Sequence, residues 1–280
     1  MMLHFSEFPE DLKKNIGYVL TDIDDTLTNE GKLSSVVFTA MEDLRKAGIR
    51  IVPITGRPAG WCDHIARMWP INGLVGENGA FYFSYDGTRK KMVRRYWKSE
   101  KGRRSDRKKL DKIKQEILKK IPGCAVASDQ AYRETDLAID YCEDVPPLSM
   151  HEAEEIVKCF LKYGARAKIS SIHVNGWFGD YDKLAMTRLL FEGVFNESLE
   201  SVKDHVIFTG DSPNDAPLFG YFPNSVGVAN VIHFTGKMTN EPAWITEKEG
   251  GYGFAEMVET LLSRPSSKKL SEASSFARPL

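Results

Sequence analysis

The sequence predicts an α/β protein in which a parallel sheet with flanking helices is interrupted by a separate α+β unit. Three observations carry this. Strand-like and helix-like segments alternate from residue 16 to 76, lose that rhythm, and regain it after residue 181. Three of the strand-like segments end in polar clusters, as strands do when their carboxyl ends face a ligand crevice. The chain has 280 residues, 42% hydrophobic and 11% aromatic, enough for a real core in one large or two ordinary domains.

The elements follow in order. Residues 16–23 (IGYVLTDI) read as a short buried strand rich in β-formers. Residues 34–47 carry Val37, Ala40, Met41 and Leu44 at helical spacing, with Gly48 as the stop. A second strand at 49–54 (IRIVPI) runs into Thr55-Gly56-Arg57-Pro58, a helix is expected over 61–68, and a third strand opens at Leu74-Val75. This order implies right-handed crossovers and a parallel sheet. Residues 81–85 and 92–97 then flank Asp86-Gly87, a hairpin signal. A helix over about 106–121 stops at Pro122-Gly123, a strand follows at 137–141, and Ser149 with Glu152 forms a capping-box pattern for a helix to about Tyr163. Residues 167–174 read as one strand. The returning rhythm has a helix at 183–195, strands at 205–209, 225–228 and 243–246, a helix starting near Asn214, and a last helix at 254–262. Gly250-Gly251-Tyr252-Gly253 lacks the Lys-Ser/Thr of a P-loop and reads as a turn before that helix.

The formal net charge of −1 hides an asymmetry. Residues 89–109 hold twelve Lys/Arg and two acids, so the rest of the chain is net acidic. Near-neutrality excludes a uniformly basic nucleic-acid binder. The basic stretch, with Tyr96 and Trp97 interleaved, reads as a solvated hairpin edge and helix start rather than a nucleic-acid patch. The opening MMLHFSEFPEDLKKN does not read as a secretory signal, and no apolar run approaches a membrane span, so no membrane partner is expected. The four scattered cysteines include no CxxC pair, which argues against a zinc site and fits reduced thiols and a cytoplasmic location.

The chemistry lies in the strand-end clusters: Asp22-Ile-Asp24-Asp25-Thr26, Thr55-Gly56-Arg57, and Gly210-Asp211-Ser-Pro-Asn214-Asp215. Crowded carboxylates need a cation, and hard oxygen ligands of this kind suit Mg²⁺. A calcium loop is excluded by Leu27 and Leu33 at its sixth and twelfth positions.

Together, DIDDTLT at 22–28, ITGR at 54–57, Lys183, and GDSPND at 210–215 resemble the four motifs of the haloacid dehalogenase superfamily. The long insert and ENGA at 77–80 resemble the subclass with a large type-two (C2B) cap, which contains Cof-type and sugar-phosphate phosphatases and phosphomannomutases. The resemblance implies a Rossmann-like core and an inserted cap. It implies Asp22 as nucleophile and Asp24 as general acid and base. Mg²⁺ would be held by Asp22, the main-chain carbonyl of Asp24 and Asp211, with Asp215 a ligand or a support for one. Thr55 would bond a phosphoryl oxygen and Lys183 would neutralise charge. Asp25 stands where the family often has Gly, and is given no catalytic role.

Substrate contacts are expected from Thr55, Gly56, Arg57, Asn78, Lys183 and Asn214. Arg57 is open between substrate contact and a surface ion pair. Ser171, His173 and Asn175 alternate on one strand face, which either reads a sugar's hydroxyls or faces solvent. The expected division is core at 1–84, cap at 85–180, core again at 181–263, and a disordered tail at 264–280. The expected function is a Mg²⁺-dependent phosphatase acting on a small phosphorylated metabolite, of the sugar-phosphate kind, through an aspartyl-phosphate. A phosphotransferase or mutase using the same intermediate, and a non-catalytic nucleic-acid-binding module, are the alternatives. The oligomeric state is left open.

Overall fold

The computed structural model describes residues 2–170 and 172–263. The expected tail and Ser171 lie outside the described residues. Along the first stretch run β1 (Leu3–His4), α1 (Glu10–Lys13), β2 (Tyr18–Thr21), a small hairpin of β3 (Thr28–Asn29) and β4 (Lys32–Leu33), α2 (Ser35–Lys46), β5 (Arg50–Pro53), α3 (Ala59–Met68), β6 (Leu74–Gly76), β7 (Phe81–Asp86) and β8 (Lys91–Tyr96). The middle contributes α4 (Glu100–Lys120), β9 (Ala125–Val126), β10 (Leu137–Asp140), α5 (Met150–Lys162), β11 (Arg166–Ile169) and β12 (His173–Trp177). The chain closes with α6 (Lys183–Leu190), α7 (Leu199–Val202), β13 (Val206–Gly210), α8 (Ala216–Tyr221), β14 (Asn224–Gly227), β15 (Trp244–Ile245) and α9 (Gly250–Leu262).

The central sheet has the order β1-β15-β14-β13-β2-β5, and every pairing in it is parallel. Its inner strands are apolar on both faces, as a sheet covered by helices on both sides requires. Val19, Ile51 and Ile207 face one layer with Val37, Met41, Phe254 and Val258, while Leu20, Val52 and Phe208 face Met186, Leu190 and Leu218 on the other. The α/β class and parallel sheet are as expected.

The middle of the chain forms a four-stranded antiparallel sheet, β11-β12-β10-β9. Leu110, Ile113 and Ile117 of α4 and Ile156 and Phe160 of α5 cover one face, against Leu137, Ile139 and Val174. The opposite face, with His173 and Asn175, looks into a cleft against the central sheet's strand ends. The expected cut at residue 85 falls inside β7; this hairpin pairs with β6, and Phe81 and Phe83 pack in the core of the central sheet.

Several expected boundaries move, for physical reasons. Helix α4 starts at Glu100 rather than near 106, because the Ser99 hydroxyl caps it by accepting from Gly102 N. Part of the basic stretch is therefore helix. The single strand expected at 167–174 is two antiparallel strands, and the Ser170 hydroxyl makes the turn by accepting from the amides of Ile172 and His173. The glycines at 250–253 are the first turn of α9, not a turn before it. A Cβ at Gly251 would lie 2.5 Å from the Leu27 carbonyl, so small residues let α9 approach β3. The expected helix at 183–195 ends as α-helix at Leu190 and continues as a π turn.

Candidate active site

Strands β13, β2 and β5 are neighbours, so their carboxyl ends place Asp211, Asp22 and Thr55 side by side. The Asp22 amide donates to Thr209 O at 2.9 Å, and the Ile54 amide to Thr21 O at 2.8 Å, which carries the sheet's register into the loops. Asp22, Asp211 and Asp215 are all buried and each offers an oxygen within 4.8 Å of the others. Lys183, at the start of α6 and 4% exposed, donates to Asp22 Oδ1 at 2.8 Å and Asp215 Oδ1 at 3.0 Å. The N-terminus of α6 is set by the Asp182 side chain, which accepts from Ala185 N.

The acids are under-neutralised. Burial, with Asp215 and Asp24 adding, pushes the Asp22 carboxyl up to about 7 against the pull of Lys183. Burial and then Asp215 and Asp22 hold Asp211 well above its ordinary value. Burial works against the Lys183 ammonium, but Asp215 and Asp22 overcome it and keep it above its ordinary value. Asp215 differs from the other two in being saturated: Oδ1 takes Lys183, and Oδ2 takes the amides of Asp211 at 3.2 Å and Ser212 at 3.4 Å. Asp211 accepts from Thr26 Oγ1 at 3.1 Å and from Asn230 Nδ2 at 3.4 Å.

Asp24 turns away from this group. Its Oδ1 accepts from Arg57 Nε at 2.8 Å, and Arg57 Nη2 lies 2.7 Å from the same oxygen. Arg57 is 8% exposed and stacks on Trp61, so its ion pair with the partly exposed Asp24 is half-buried rather than at the surface. Thr55 is fully buried, and its hydroxyl accepts from Arg57 N at 3.0 Å. Asn78 sits in the left-handed region at φ 57°, a conformation asparagine tolerates. Its buried Nδ2 has no hydrogen-bond partner and lies against Gly56.

A cleft opens between the strand ends and the inserted unit. Asp22, Asp24, Gly56, Arg57, Asn78, Asp211 and Asn214 line it from the core, and His173 and Asn175 from the inserted unit. Of the expected residues, Thr55, Lys183 and Asp215 sit just behind this lining. His173 Nε2 is 2.8 Å from Glu143 Oε2 but is not aligned as a hydrogen bond, and burial, then Arg133, lowers the imidazole to about 4. Asn175 donates to Asp136 Oδ2 at 3.0 Å. Four residues that sequence reasoning passed over also belong here: Thr26, Asn230, Arg133, and Lys168, whose Nζ reaches Asn214 Oδ1 at 3.5 Å. Thr26 was visible in the first motif; nothing in the local sequence marks the other three.

A parallel sheet with carboxylates at adjacent strand ends, faced by an inserted antiparallel unit, defines a class of protein. Residues 19–104 match the model of the haloacid dehalogenase-like hydrolase family. No curated protein matches the sequence. Solved structures share the fold. A Thermoplasma acidophilum protein is 18% identical, with TM-score 0.67 over 88% of this chain and 98% of its own. A haloacid dehalogenase-like hydrolase from Bacteroides thetaiotaomicron is 15% identical, with TM-score 0.62 over 88% of this chain and 100% of its own. The sucrose-phosphatase of Synechocystis, solved with sucrose and phosphate, is 15% identical, with TM-score 0.61 over 88% and 98%.

Proposed function

We propose that this chain is a Mg²⁺-dependent phosphatase that hydrolyses a small phosphorylated metabolite, of the sugar-phosphate kind, through an aspartyl-phosphate on Asp22. The observation that carries the reading is the buried convergence of Asp22, Asp211 and Asp215 at the ends of adjacent parallel strands, with Lys183 bonded to Asp22 and Asp215. The sucrose-phosphatase likeness supports it at the level of fold.

The donor set fits a hard divalent cation. It is all oxygen and carries more negative charge than one ammonium offsets. Asp22 and Asp211 would hold Mg²⁺ with the Asp24 carbonyl. Asp215, whose oxygens already have protein donors, would act by fixing Lys183 and the Asp211 loop. When bound, the ion supplies charge neutralisation so that a phosphate dianion can approach.

The rest falls to the chain. An Asp22 oxygen attacks phosphorus and the bond to the leaving oxygen breaks. Asp24 gives that oxygen a proton; Arg57 holds one Asp24 oxygen and leaves the other for this exchange. Asp24 then takes a proton from water, whose oxygen attacks phosphorus and releases inorganic phosphate and free Asp22. Thr55 and Lys183 stabilise charge on the transferring group. Asn78, Asn214, His173 and Asn175 meet the rest of the substrate. We assign the cap to the segment beyond the β7–β8 hairpin, closing over the cleft to exclude bulk water. No described helix is long and apolar enough to cross a membrane. The four free cysteines suit the reducing cytoplasm, where we place the enzyme.

The test is turnover of p-nitrophenyl phosphate. We expect Mg²⁺-dependent phosphate release without a sugar acceptor, abolished by chelation. Asp22→Asn should lower it by at least about 10³-fold with an unchanged circular dichroism spectrum. Full activity in that variant overturns the mechanism, and phosphate release only when an acceptor sugar is present points to a transferase.

A further inference from the structure

The mechanism above leaves Arg133 unused. It lies in the inserted unit just before β10, its side chain is 1% exposed, and it lines the cleft. Every arm of the guanidinium is engaged. Nε and Nη2 donate to the two oxygens of Asp129 at 2.8 Å each. Nη1 donates to Asp136 Oδ2 at 3.1 Å and to the Gly56 carbonyl at 3.0 Å. The last bond crosses from the inserted unit to the core and ends on the loop that carries Thr55.

Three consecutive carbonyls of that loop are tied. Thr55 O accepts from Asn78 N at 3.1 Å, and Arg57 O accepts from Glu77 N at 3.2 Å. Both donors belong to the core. The carbonyl between them, on Gly56, is held by Arg133. Glycine has the freest backbone, so an untied peptide here would rotate. A Cβ at position 56 would press on the Asn78 side-chain amide at 3.3 Å.

The Gly56 carbonyl shares a rigid plane with the Arg57 N–H. That N–H donates to Thr55 Oγ1 at 3.0 Å. It occupies an acceptor site on the hydroxyl and leaves the hydroxyl proton to be donated elsewhere. We infer that Arg133 is a positioning residue: by holding the Gly56 oxygen it fixes the peptide plane that orients the Thr55 hydroxyl toward the transferring phosphoryl group. The loop then has its working geometry only while the inserted unit is docked.

The docking seat supports this. Glu77 accepts from Ala59 N in the core and from the amides of Glu134, Thr135 and Asp136 in the inserted unit, at 2.7–3.3 Å. Arg107 of α4 donates to Arg133 O at 2.7 Å and Asp136 O at 3.2 Å. Gly60 leaves room for Tyr132, whose Cβ would stand 3.0 Å from any Cβ at that position. Arg133 is thus delivered to Gly56 from a segment fixed on both sides.

The activity arm of the test rests on the phosphatase reading. Arg133→Lys keeps the charge but cannot bridge Asp129, Asp136 and Gly56 O at once. Its kcat for p-nitrophenyl phosphate should fall about 10–100-fold, with KM within about threefold of the parent. The same factor should hold for a small sugar phosphate, because each substrate offers Thr55 the same group. Guanidinium chloride should restore part of the kcat of Arg133→Gly, which a general loss of folding would not permit. An unchanged kcat in Arg133→Lys, or a loss confined to KM or to one substrate, overturns the inference. Hydrogen exchange of the amides of residues 55–57 and 59 is the arm independent of activity. It should quicken at least about tenfold in Arg133→Lys, and unchanged exchange overturns the inference. If the parent hydrolyses no phosphate ester, the phosphatase reading fails and the exchange arm alone decides. If Arg133→Gly does not fold, Arg133→Lys carries both arms.

Discussion

Among the described residues, two clusters of carboxylates are buried, and they are built differently. At the strand ends, Asp22 and Asp215 share the Lys183 ammonium beside Asp211, and among the described residues only Lys183 donates to the Asp22 carboxylate. At the joint between core and inserted unit, Glu77 takes four main-chain amides and the Thr135 hydroxyl. There, too, both oxygens of Asp129 sit on Arg133, and Asp136 takes Arg133 and Asn175. Burial alone therefore does not mark a reactive site. Carboxylates saturated by protein donors hold parts together, whereas carboxylates left facing each other are open to an ion or a substrate.

The sharpest way to break this contrast is Lys183→Met. It removes the ammonium that bonds Asp22 and Asp215 and should lower phosphatase turnover by about 10²–10³-fold. A small change would mean that the cluster is as well satisfied as the joint.

The next effect is a pH dependence at the joint. Burial, with the Asp136 charge adding, raises Glu77 to about 7 from an ordinary 4.5, against the Thr135, Arg133 and Glu134 contacts. A folded state with a raised carboxyl pKa binds more protons than the unfolded chain between those two values. Glu77's contribution is thus fully present below pH 4.5 and is lost as pH rises through about 7. Unfolding free energy of the parent, measured relative to Glu77→Gln by denaturant titration, should fall across that window. Parallel curves for the two proteins would show that donors, not burial, set this carboxyl.

The smallest effect is expected at Asn230, which links the clusters' surroundings to α9. Its Nδ2 donates to Asp25 O at 2.9 Å as well as to Asp211, and its Oδ1 accepts from Gly250 N at 3.1 Å. Asn230→Ala should cost about 1 kcal/mol in stability. It should also raise the Mg²⁺ needed for half-maximal activity by about tenfold, read from a titration of activity. No shift in the Mg²⁺ requirement would make Asn230 a packing residue only.

The same contrast explains what the sequence could disclose. Asp22, Asp24, Thr55, Asp211 and Asp215 were legible because each stands within five residues of a strand end, and strand ends can be located from apolar runs. Lys183 was legible from the family resemblance and its place at a helix start. Arg133 was not, since its position depends on how residues 128–136 dock against Glu77, a long-range packing that leaves no local period. The start of α4 was hidden for a related reason: its first turns are charged and contain Gly102, so only the Ser99 cap announces them. The two-strand reading of 166–177 was hidden by a turn built on Ser170 rather than on glycine or proline.

The sheet order has a consequence for synthesis. Strand β2 is made among the first, yet one of its two partners, β13, lies almost two hundred residues later. At about 5–20 residues per second, the ribosome takes on the order of tens of seconds to supply it. Through that interval the strand that leads into the nucleophile has one edge unpaired and no Asp211 or Lys183 nearby. The growing chain thus carries an apolar edge that invites wrong partners, and it acquires its reactive centre only once α6 and β13 have been made.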